Sequence, residues 1–276
     1  MLTSILYICY SFTAWYMADL RSLLVVIWLL FLPVGSVFAQ LGLSHEIGIL
    51  VGPTAFFTDY GERYNLKNNV NNAGIGIGIV HYMNFAYRAD CNCYARETYF
   101  NDHFKIRTEI DYFRTKLEHF GPIAEKPKSV GGILLRAMHG ETQTFEIGAG
   151  LEYYPRSIRD YRAFSHLFSP FVSLGVHFVN YFPSAYSDLG PITDENNLFP
   201  TFRNGGVDLD SGSTWALVGI AGTRFRLGHS SDLNLEARWQ YYDTDWLEGL
   251  NVQGPQNKFN DLVFWVNVGY IYYINY

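Results

Sequence analysis

The sequence predicts an all-β fold, an eight-stranded antiparallel up-and-down barrel that crosses a membrane. Three observations lead to this prediction. Several segments carry apolar residues at every second position, one of them has a fully charged opposite face, and the connections between segments alternate between long and shorter ones. Successive side chains of a strand point to opposite faces, so such segments suit a wall between lipid and a polar interior.

The last predicted strand, residues 264–276, gives the clearest alternation. Its even positions are all apolar or aromatic, whereas Asn267, Gly269 and Asn275 stand on the opposite face. A tilted strand needs about 9 to 11 residues to cross a bilayer, so this row is long enough. We interpret it as a lipid-facing surface that also serves as the insertion signal, and its members are Phe264, Val266, Val268, Tyr270, Tyr272, Ile274 and Tyr276.

The third predicted strand, residues 104–112, combines an apolar face with a charged one. The charged positions are Lys105, Arg107, Glu109 and Asp111. Weaker forms of the same alternation predict the other strands. In chain order, the eight predicted strands are residues 43–51, 75–87, 104–112, 144–153, 171–182, 214–227, 233–243 and 264–276.

The polar faces of these strands predict a lumen plugged by side chains. Eight strands enclose an interior just wide enough for side chains to fill. The inward charges comprise five cations and six anions, so we expect the arginines to neutralise the glutamates in a paired network. A narrow conduit for ions or solutes is the alternative, and it would need an excess of one sign. The predicted network consists of Glu46, Lys105, Arg107, Glu109, Asp111, Glu146, Glu152, Arg224, Arg226, Glu236 and Arg238.

The connections fit a membrane barrel with both ends on the periplasmic side. In that arrangement the odd-numbered connections face outward and are the longer ones. The outward connections are residues 53–73, 114–141, 183–213 and 244–260, and the inward ones are residues 88–103, 154–170 and 228–232. The first two inward turns are longer than the minimum.

A soluble barrel of the lipocalin kind is the alternative to a membrane barrel. It would show the same alternation with its apolar residues inside, so the strand pattern alone does not separate the two. Aromatic residues that could form a girdle at the membrane surface favour the membrane barrel. The girdle candidates are Trp215, Trp239, Tyr241 and Trp265.

The amino-terminal segment predicts export. An apolar run at 22–32 is followed by Pro33 and Gly35 and then by small residues before Gln40, which is the pattern of a cleaved signal peptide. We therefore expect a signal at residues 1–39 and one barrel domain at residues 40–276, with translation starting at Met17. An uncleaved transmembrane anchor is the alternative, but charges divide its apolar stretch.

Composition excludes several classes of protein. Charged residues make up 17% of the chain and the net charge is −6, so no basic surface for nucleic acid is expected.

We also expect no cofactor and no metal. Cys91 and Cys93 flank a single residue, which we interpret as a reduced or bridged pair in a turn. The acidic segment 208–212 could offer oxygen ligands to calcium, although solvated carboxylates are the simpler interpretation.

The sequence does not predict an enzyme. His119, His139, Asp243 and Asp245 could meet only if their loops folded together. No nucleophile motif or fixed histidine-carboxylate spacing brings them together, so no catalytic residues are assigned.

Four stretches carry a resemblance to a known family: residues 135–140, 185–191, 238–246 and 266–273. Over nearly the whole mature chain, the sequence resembles a family of uncharacterised Gram-negative outer-membrane β-barrel proteins. In strand number it is also similar to small barrels of the OmpA, OmpX and OmpW kind. The resemblance implies the outer-membrane location and the barrel fold, and it brings no catalytic residues.

The predicted function is a structural or interaction role exercised through the long outer loops. The expected partners are outer-membrane lipid, the assembly machinery during insertion, and other envelope proteins. Two alternatives stay open. The chain could be an accessory subunit of a larger outer-membrane assembly or export machine, or it could form a narrow pore or an outer-mouth hydrolase or acyltransferase.

Overall fold

The computed structural model describes residues 43–60, 66–85, 98–252 and 259–274. All described strands and helices belong to one compact unit, Ser44–Tyr276. The predicted signal peptide, Cys91, Cys93 and Tyr276 lie outside the described residues. In the described part of the chain, none of the helices is both long and apolar enough to span a membrane.

The described residues form a closed barrel of eight antiparallel strands. Each strand pairs with the next one in the chain, and β1 pairs with β8 to close the wall. This confirms the predicted fold class. The strands are β1 (Ser44–Phe57), β2 (Ala73–Asn84), β3 (Phe104–Glu118), β4 (Met138–Tyr153), β5 (Phe168–Ser187), β6 (Gly212–Arg226), β7 (Ser231–Tyr242) and β8 (Leu262–Tyr273).

The two faces of β8 show how alternation builds the wall. Val266, Val268, Tyr270, Tyr272 and Ile274 are each between 45% and 52% exposed, whereas the intervening residues are buried inside the barrel. The outside of the barrel is therefore apolar, and only lipid can solvate such a surface without a free-energy penalty. This arrangement is the reverse of a soluble barrel of the lipocalin kind.

Several strands run further than predicted. Strand β4 starts six residues earlier, at Met138, and β5 continues to Ser187. In the extension of β4 the outward residues are polar, as at His139 and Glu141, so apolar alternation cannot detect it. The ladder pairing continues nevertheless, because backbone hydrogen bonding does not depend on an apolar outer face.

The connections differ between the two ends of the barrel. We call the end where β1 begins and β8 finishes the turn end, and the opposite end the loop end. The loop end holds helices α1 (Leu66–Asn71) and α3 (Val130–Ala137) and two short 3-10 turns, Glu195–Asn197 and Pro200–Phe202. The turn end holds α2 (Tyr99–His103) and α4 (Ile158–Arg162). Transmembrane barrels generally place short turns in the periplasm and long loops outside.

Apolar packing occupies part of the lumen, which the predicted charged interior did not include. One cluster of buried side chains extends from Leu50 and Phe113 in the wall to Phe202, Leu247 and Leu250 at the loop end. A smaller cluster joins the turn-end helix α4 to the wall through Tyr154, Ile158, Phe171, Val218 and Ile220. The charged groups lie among these apolar contacts.

Candidate functional site

The candidate site is the charged interior of the barrel, and β3 supplies its main column. Lys105, Arg107, Glu109 and Asp111 occupy alternate positions and are each at most 5% exposed. The residues between them face the outside of the barrel. The alternation of a single strand therefore places four charges in one row inside the lumen.

Arg107 joins three strands. Its Nε and Nη2 donate to Glu109 Oε2 at 2.9 and 2.7 Å, and its Nη1 donates to Glu152 Oε1 at 3.0 Å. Across the lumen, Nη1 and Nη2 donate to the two oxygens of Glu236 at 2.8 and 2.9 Å, a bidentate pair. Carboxylates of β3, β4 and β7 thus share one guanidinium, and this geometry favours a fixed side-chain arrangement.

Arg238 holds the neighbouring carboxylates. It donates to Asp111 Oδ2 at 2.7 Å and to Glu109 Oε2 at 2.5 Å. Its guanidinium lies 4.6 Å from the centre of the Trp265 ring, a cation–π contact inside the barrel. Glu109 therefore accepts from two arginines.

Glu46 on β1 binds three cationic side chains near the turn end. Lys105 Nζ lies 2.8 Å from Oε1, Arg224 Nη1 lies 2.5 Å from Oε2, and Arg162 Nη2 donates to Oε1 at 3.1 Å. Arg162 belongs to α4, so the turn-end helix contributes a charge to the lumen. The sequence prediction did not include Arg162, because it lies in a connection without strand alternation.

His177 is another network member that the prediction missed. Its Nδ1 lies 3.0 Å from Glu146 Oε2 and its Nε2 lies 3.0 Å from Glu109 Oε1. Among the described residues, His177 is the only ion-pair partner of Glu146, so the expected neutralisation of this glutamate by an arginine is wrong. The alternation of β5 could have predicted that His177 faces inward, because this residue stands between the outward residues Val176 and Phe178.

Arg226 lies at the turn end and not in the central row. Its guanidinium donates to the backbone carbonyls of Gly228 at 2.9 Å, Tyr161 at 3.1 Å and His229 at 3.3 Å. These bonds attach the β6–β7 turn to α4. Alternation gives the correct face for Arg226, but it does not reveal that the residue is the last of its strand.

Trp265 was predicted as a girdle residue, and this is wrong. It is fully buried inside the barrel, where its Nε1 donates to the carbonyl of Gly52 at 3.2 Å. It occupies an odd position of β8, and the odd positions face inward. Trp215, Trp239 and Tyr241 do lie on the outer surface, at 57%, 46% and 42% exposure.

Loop residues cover the lumen at the loop end. The backbone N–H of Asp59 donates to Glu248 Oε1 at 2.6 Å, and the N–H of Leu247 donates to Asp261 Oδ2 at 3.1 Å. Burial, with the nearby carboxylates of Asp261 and Asp59, raises the pKa of Glu248 well above its usual range and so favours its neutral form. Burial likewise lowers the pKa of His119 to about 3 and keeps its ring neutral.

The candidate catalytic groups lie in different environments. His139 is on the outer wall, where its Nε2 lies 3.2 Å from Asp188 Oδ2 and its ring stacks on Tyr186. His119 is buried in the loop-end cover and stacks on Tyr60, with ring centres 4.5 Å apart. In the acidic segment 208–212, Asp208 and Asp210 are exposed to solvent.

One group of buried side chains has the donor types of a metal site. Glu109, Asp111 and His177 each offer a ligand atom, and these atoms lie within 4.8 Å of one another. The donor set of one imidazole and two carboxylates suits zinc or iron. The same carboxylates, however, receive the hydrogen bonds of Arg238 described above.

The closed wall, the apolar exterior and the buried ionic interior define the class: the chain is a small integral β-barrel protein of the outer membrane. No family model matches the chain, and no curated protein matches its sequence.

Solved structures of other small barrels are similar in fold. Neisserial surface protein A is 13% identical, with 84% of this chain and 98% of that one covered and a TM-score of 0.40. OprG from Pseudomonas aeruginosa is 12% identical, with coverages of 83% and 96% and a TM-score of 0.41. Ail of Yersinia pestis is 13% identical, with coverages of 83% and 99% and a TM-score of 0.39. The predicted strand number is confirmed by the eight strands of the closed wall itself.

Proposed function

We propose that the protein is a non-conducting outer-membrane barrel that acts through its loops. The observation that carries this proposal is the row of buried ion pairs from Glu46 to Arg238, in which each guanidinium bridges carboxylates of different strands. Moving any one of these groups would leave a buried charge without its partner. The lumen is therefore a support that holds the wall rigid, and the loops are the working surface.

The bilayer experiment tests the closed lumen. We expect the purified, refolded chain to be electrically silent in planar bilayers near neutral pH, because α4 and the loop-end residues cover the two ends of an interior filled by paired side chains. Silence has to be accompanied by proof of insertion, for example heat-modifiable migration of the same sample. Stable channel openings from the wild-type chain would mean that the lumen is a pathway and that the alternative of a narrow pore is correct.

The loop end has exposed apolar surface that supports an interaction role. Val130 and Ile133 on α3 are 74% and 43% exposed, and Ile123 beside them is 49% exposed. A cavity of about 180 Å³ opens next to them, between Phe120, Phe199 and other residues of the loops. Exposed apolar groups of this kind mark contact surfaces for proteins or membranes.

Replacing these side chains tests the interaction role. We expect the double variant Val130→Asp/Ile133→Asp to fold normally and to lose envelope proteins that co-purify with the wild type in mild detergent. A matched control is Asp194→Asn/Glu195→Gln, which changes exposed loop charges and leaves the apolar surface intact. Unchanged co-purification with the double variant would mean that α3 is not part of the interaction surface. A stoichiometric set of co-purified partners would favour the accessory-subunit alternative.

We also propose that the chain is not an enzyme. His119 stacks on Tyr60 inside the loop-end cover, whereas His139 lies against Asp188 on the outer wall, so the two candidate histidines are in separate environments. The outer-membrane lipid and the assembly machinery are proposed as partners because the exposed row on β8 presents the surface that each of them would contact.

A further inference from the structure

The buried imidazole of His177 has two carboxylate neighbours and is 1% exposed. Its two ring nitrogens lie 3.0 Å from Glu146 Oε2 and 3.0 Å from Glu109 Oε1. A neutral imidazole has one N–H and one lone pair, so it can donate to only one of these oxygens. In that form the other nitrogen would place its lone pair against a carboxylate oxygen.

The other contacts of Glu146 are all donors. Tyr242 Oη donates to Oε1 at 2.6 Å, Gln240 Nε2 donates to Oε2 at 2.6 Å, and Thr144 Oγ1 donates to Oε1 at 3.2 Å. These three donors stabilise the negative charge of the carboxylate, so they favour a proton on His177 Nδ1 over a proton on Oε2 of Glu146. Glu109 is ionised for a different reason, because the guanidinium groups of Arg107 and Arg238 both donate to its Oε2 and stabilise its negative charge.

We propose that His177 is an imidazolium ion that bridges Glu109 and Glu146, and that the plug of the barrel therefore includes one bound proton. This inference rests on the proposed closed lumen and adds a regulatory element to it. When His177 loses this proton, one of the two carboxylates loses a donor and Glu146 loses its counter-ion. The contact between β5, β3 and β4 then weakens, and the lumen loosens as the pH rises.

The groups around His177 favour the charged form. Strand β3 presents Glu109 and Asp111, with Asp111 Oδ2 3.9 Å from Nδ1, and β4 presents Glu146. From β7, Tyr242 bonds to Glu146, and Arg238 bonds to Asp111 and to Glu109, which Arg107 of β3 also contacts. The residue opposite His177 on β6 is Ala216, which carries no charge. Three carboxylates thus face the ring, so a positive charge there is stabilising.

The wall is shaped around this ring. A side chain at Gly148 would bring its Cβ into the volume of the His177 ring, so the neighbouring strand leaves the space that the imidazole fills. The ring is therefore held at both nitrogens and packed over its face. A group in this position cannot turn away when it loses its proton, and the resulting repulsion has to be relieved by movement of the strands or of the glutamates.

A divalent metal ion is the competing occupant, since Glu109, Asp111 and His177 could ligate one. Such an ion would stand beside the Arg238 guanidinium, whose Nη atoms lie 2.5 Å from Glu109 and 2.7 Å from Asp111. Repulsion between these cations makes the proton the better fit. Metal binding is accordingly an outcome of the experiment that would overturn the proposal.

The direct test is nitrogen NMR of the full chain, labelled with ¹⁵N-histidine and folded in lipid nanodiscs. His177→Gln assigns the His177 signals by their loss. At about pH 7 we expect both ring nitrogens to show the shifts of N–H groups, and on raising the pH to about 10 we expect one of them to move to the lone-pair range. A lone-pair signal from His177 at neutral pH, or a bound metal that a chelator removes, would contradict the proposal.

The functional test compares melting temperature and conductance at the same two pH values. We expect the wild type to melt at a lower temperature and to begin conducting at high pH, and we expect the pH dependence of melting to shrink in His177→Gln. His139→Gln, which changes a ring on the outer wall, is the control and should behave as the wild type. If His177→Gln does not fold, Glu146→Gln removes the need for the second donor and should abolish the same pH dependence.

The two proposals fail in different ways. Conductance of the wild type at neutral pH contradicts the closed lumen, and the nitrogen shifts still report whether His177 is charged. A wild type that is silent at both pH values and whose melting temperature changes no more than that of His177→Gln contradicts the proton-dependent plug and leaves the closed lumen intact.

Discussion

Arg107→Met is expected to lower the free energy of unfolding by roughly 3 to 5 kcal/mol, because it leaves several buried carboxylates without their shared cation. The substitution keeps most of the side-chain volume and removes the guanidinium that Glu109, Glu152 and Glu236 share. These carboxylates would stay buried with fewer donors. Urea unfolding of the refolded barrel in detergent or lipid measures the difference.

A surface arginine supplies the matched control. Arg114 forms a similar short pair with Glu141, 2.7 Å apart, but its side chain is 50% exposed. Exposed pairs contribute little because water solvates the separated charges nearly as well. Arg114→Met should therefore unfold at almost the wild-type urea concentration. Equal losses for the two variants would mean that burial of the network contributes no special stability.

Val268→Arg is expected to lower the free energy of unfolding by roughly 2 to 4 kcal/mol, for a different reason. Val268 lies on the outward face of β8 and pairs with Val51 of β1 and Leu235 of β7, so the new charge would enter the lipid. The same measurement in lipid vesicles tests this expectation. Val130→Arg, at an exposed position of the loop-end helix, is the control and should have little effect.

The loss of stability caused by Val268→Arg in lipid should become smaller in water-soluble surfactants, whose polar groups can solvate the new charge. If the loss were the same in every medium, packing within the barrel and not lipid contact would be responsible.

The same outward row tests the proposed insertion signal. Tyr276→Asp should reduce the amount inserted in vivo, whereas Asn275→Asp, on the other face by alternation, should not.

Alternation in the sequence predicts the wall and most of its contents. It places Glu46, Glu109 and Arg238 on the inward face, because the residues on either side of each one belong to the outward face. The same rule, applied to every position, also places His177 and Trp265 inside. These two were missed or misassigned because histidine and tryptophan do not reveal by their chemistry which face they occupy.

Other features were not predictable from alternation. Arg162 reaches Glu46 from a helix in a connection, where no strand pattern exists. The pairing of each arginine with particular glutamates depends on the stagger of strands around the barrel, and no single strand encodes that stagger. The extension of β4 at the loop end has a polar outer face, so its sequence does not differ from that of a loop.

The lumen network joins residues that are far apart in the chain. Glu46 meets Arg224 across 178 positions, and Arg107 meets Glu236 across 129. A chain with only its first hairpins formed lacks these two pairs, so the groups that they join are still without those partners. They can leave water together only when the last strands close the ring. Closure should therefore be a late and cooperative step, and it should be slow because its contacts are non-local. Incompletely closed barrels should be unstable, because some of their inward charges lack partners.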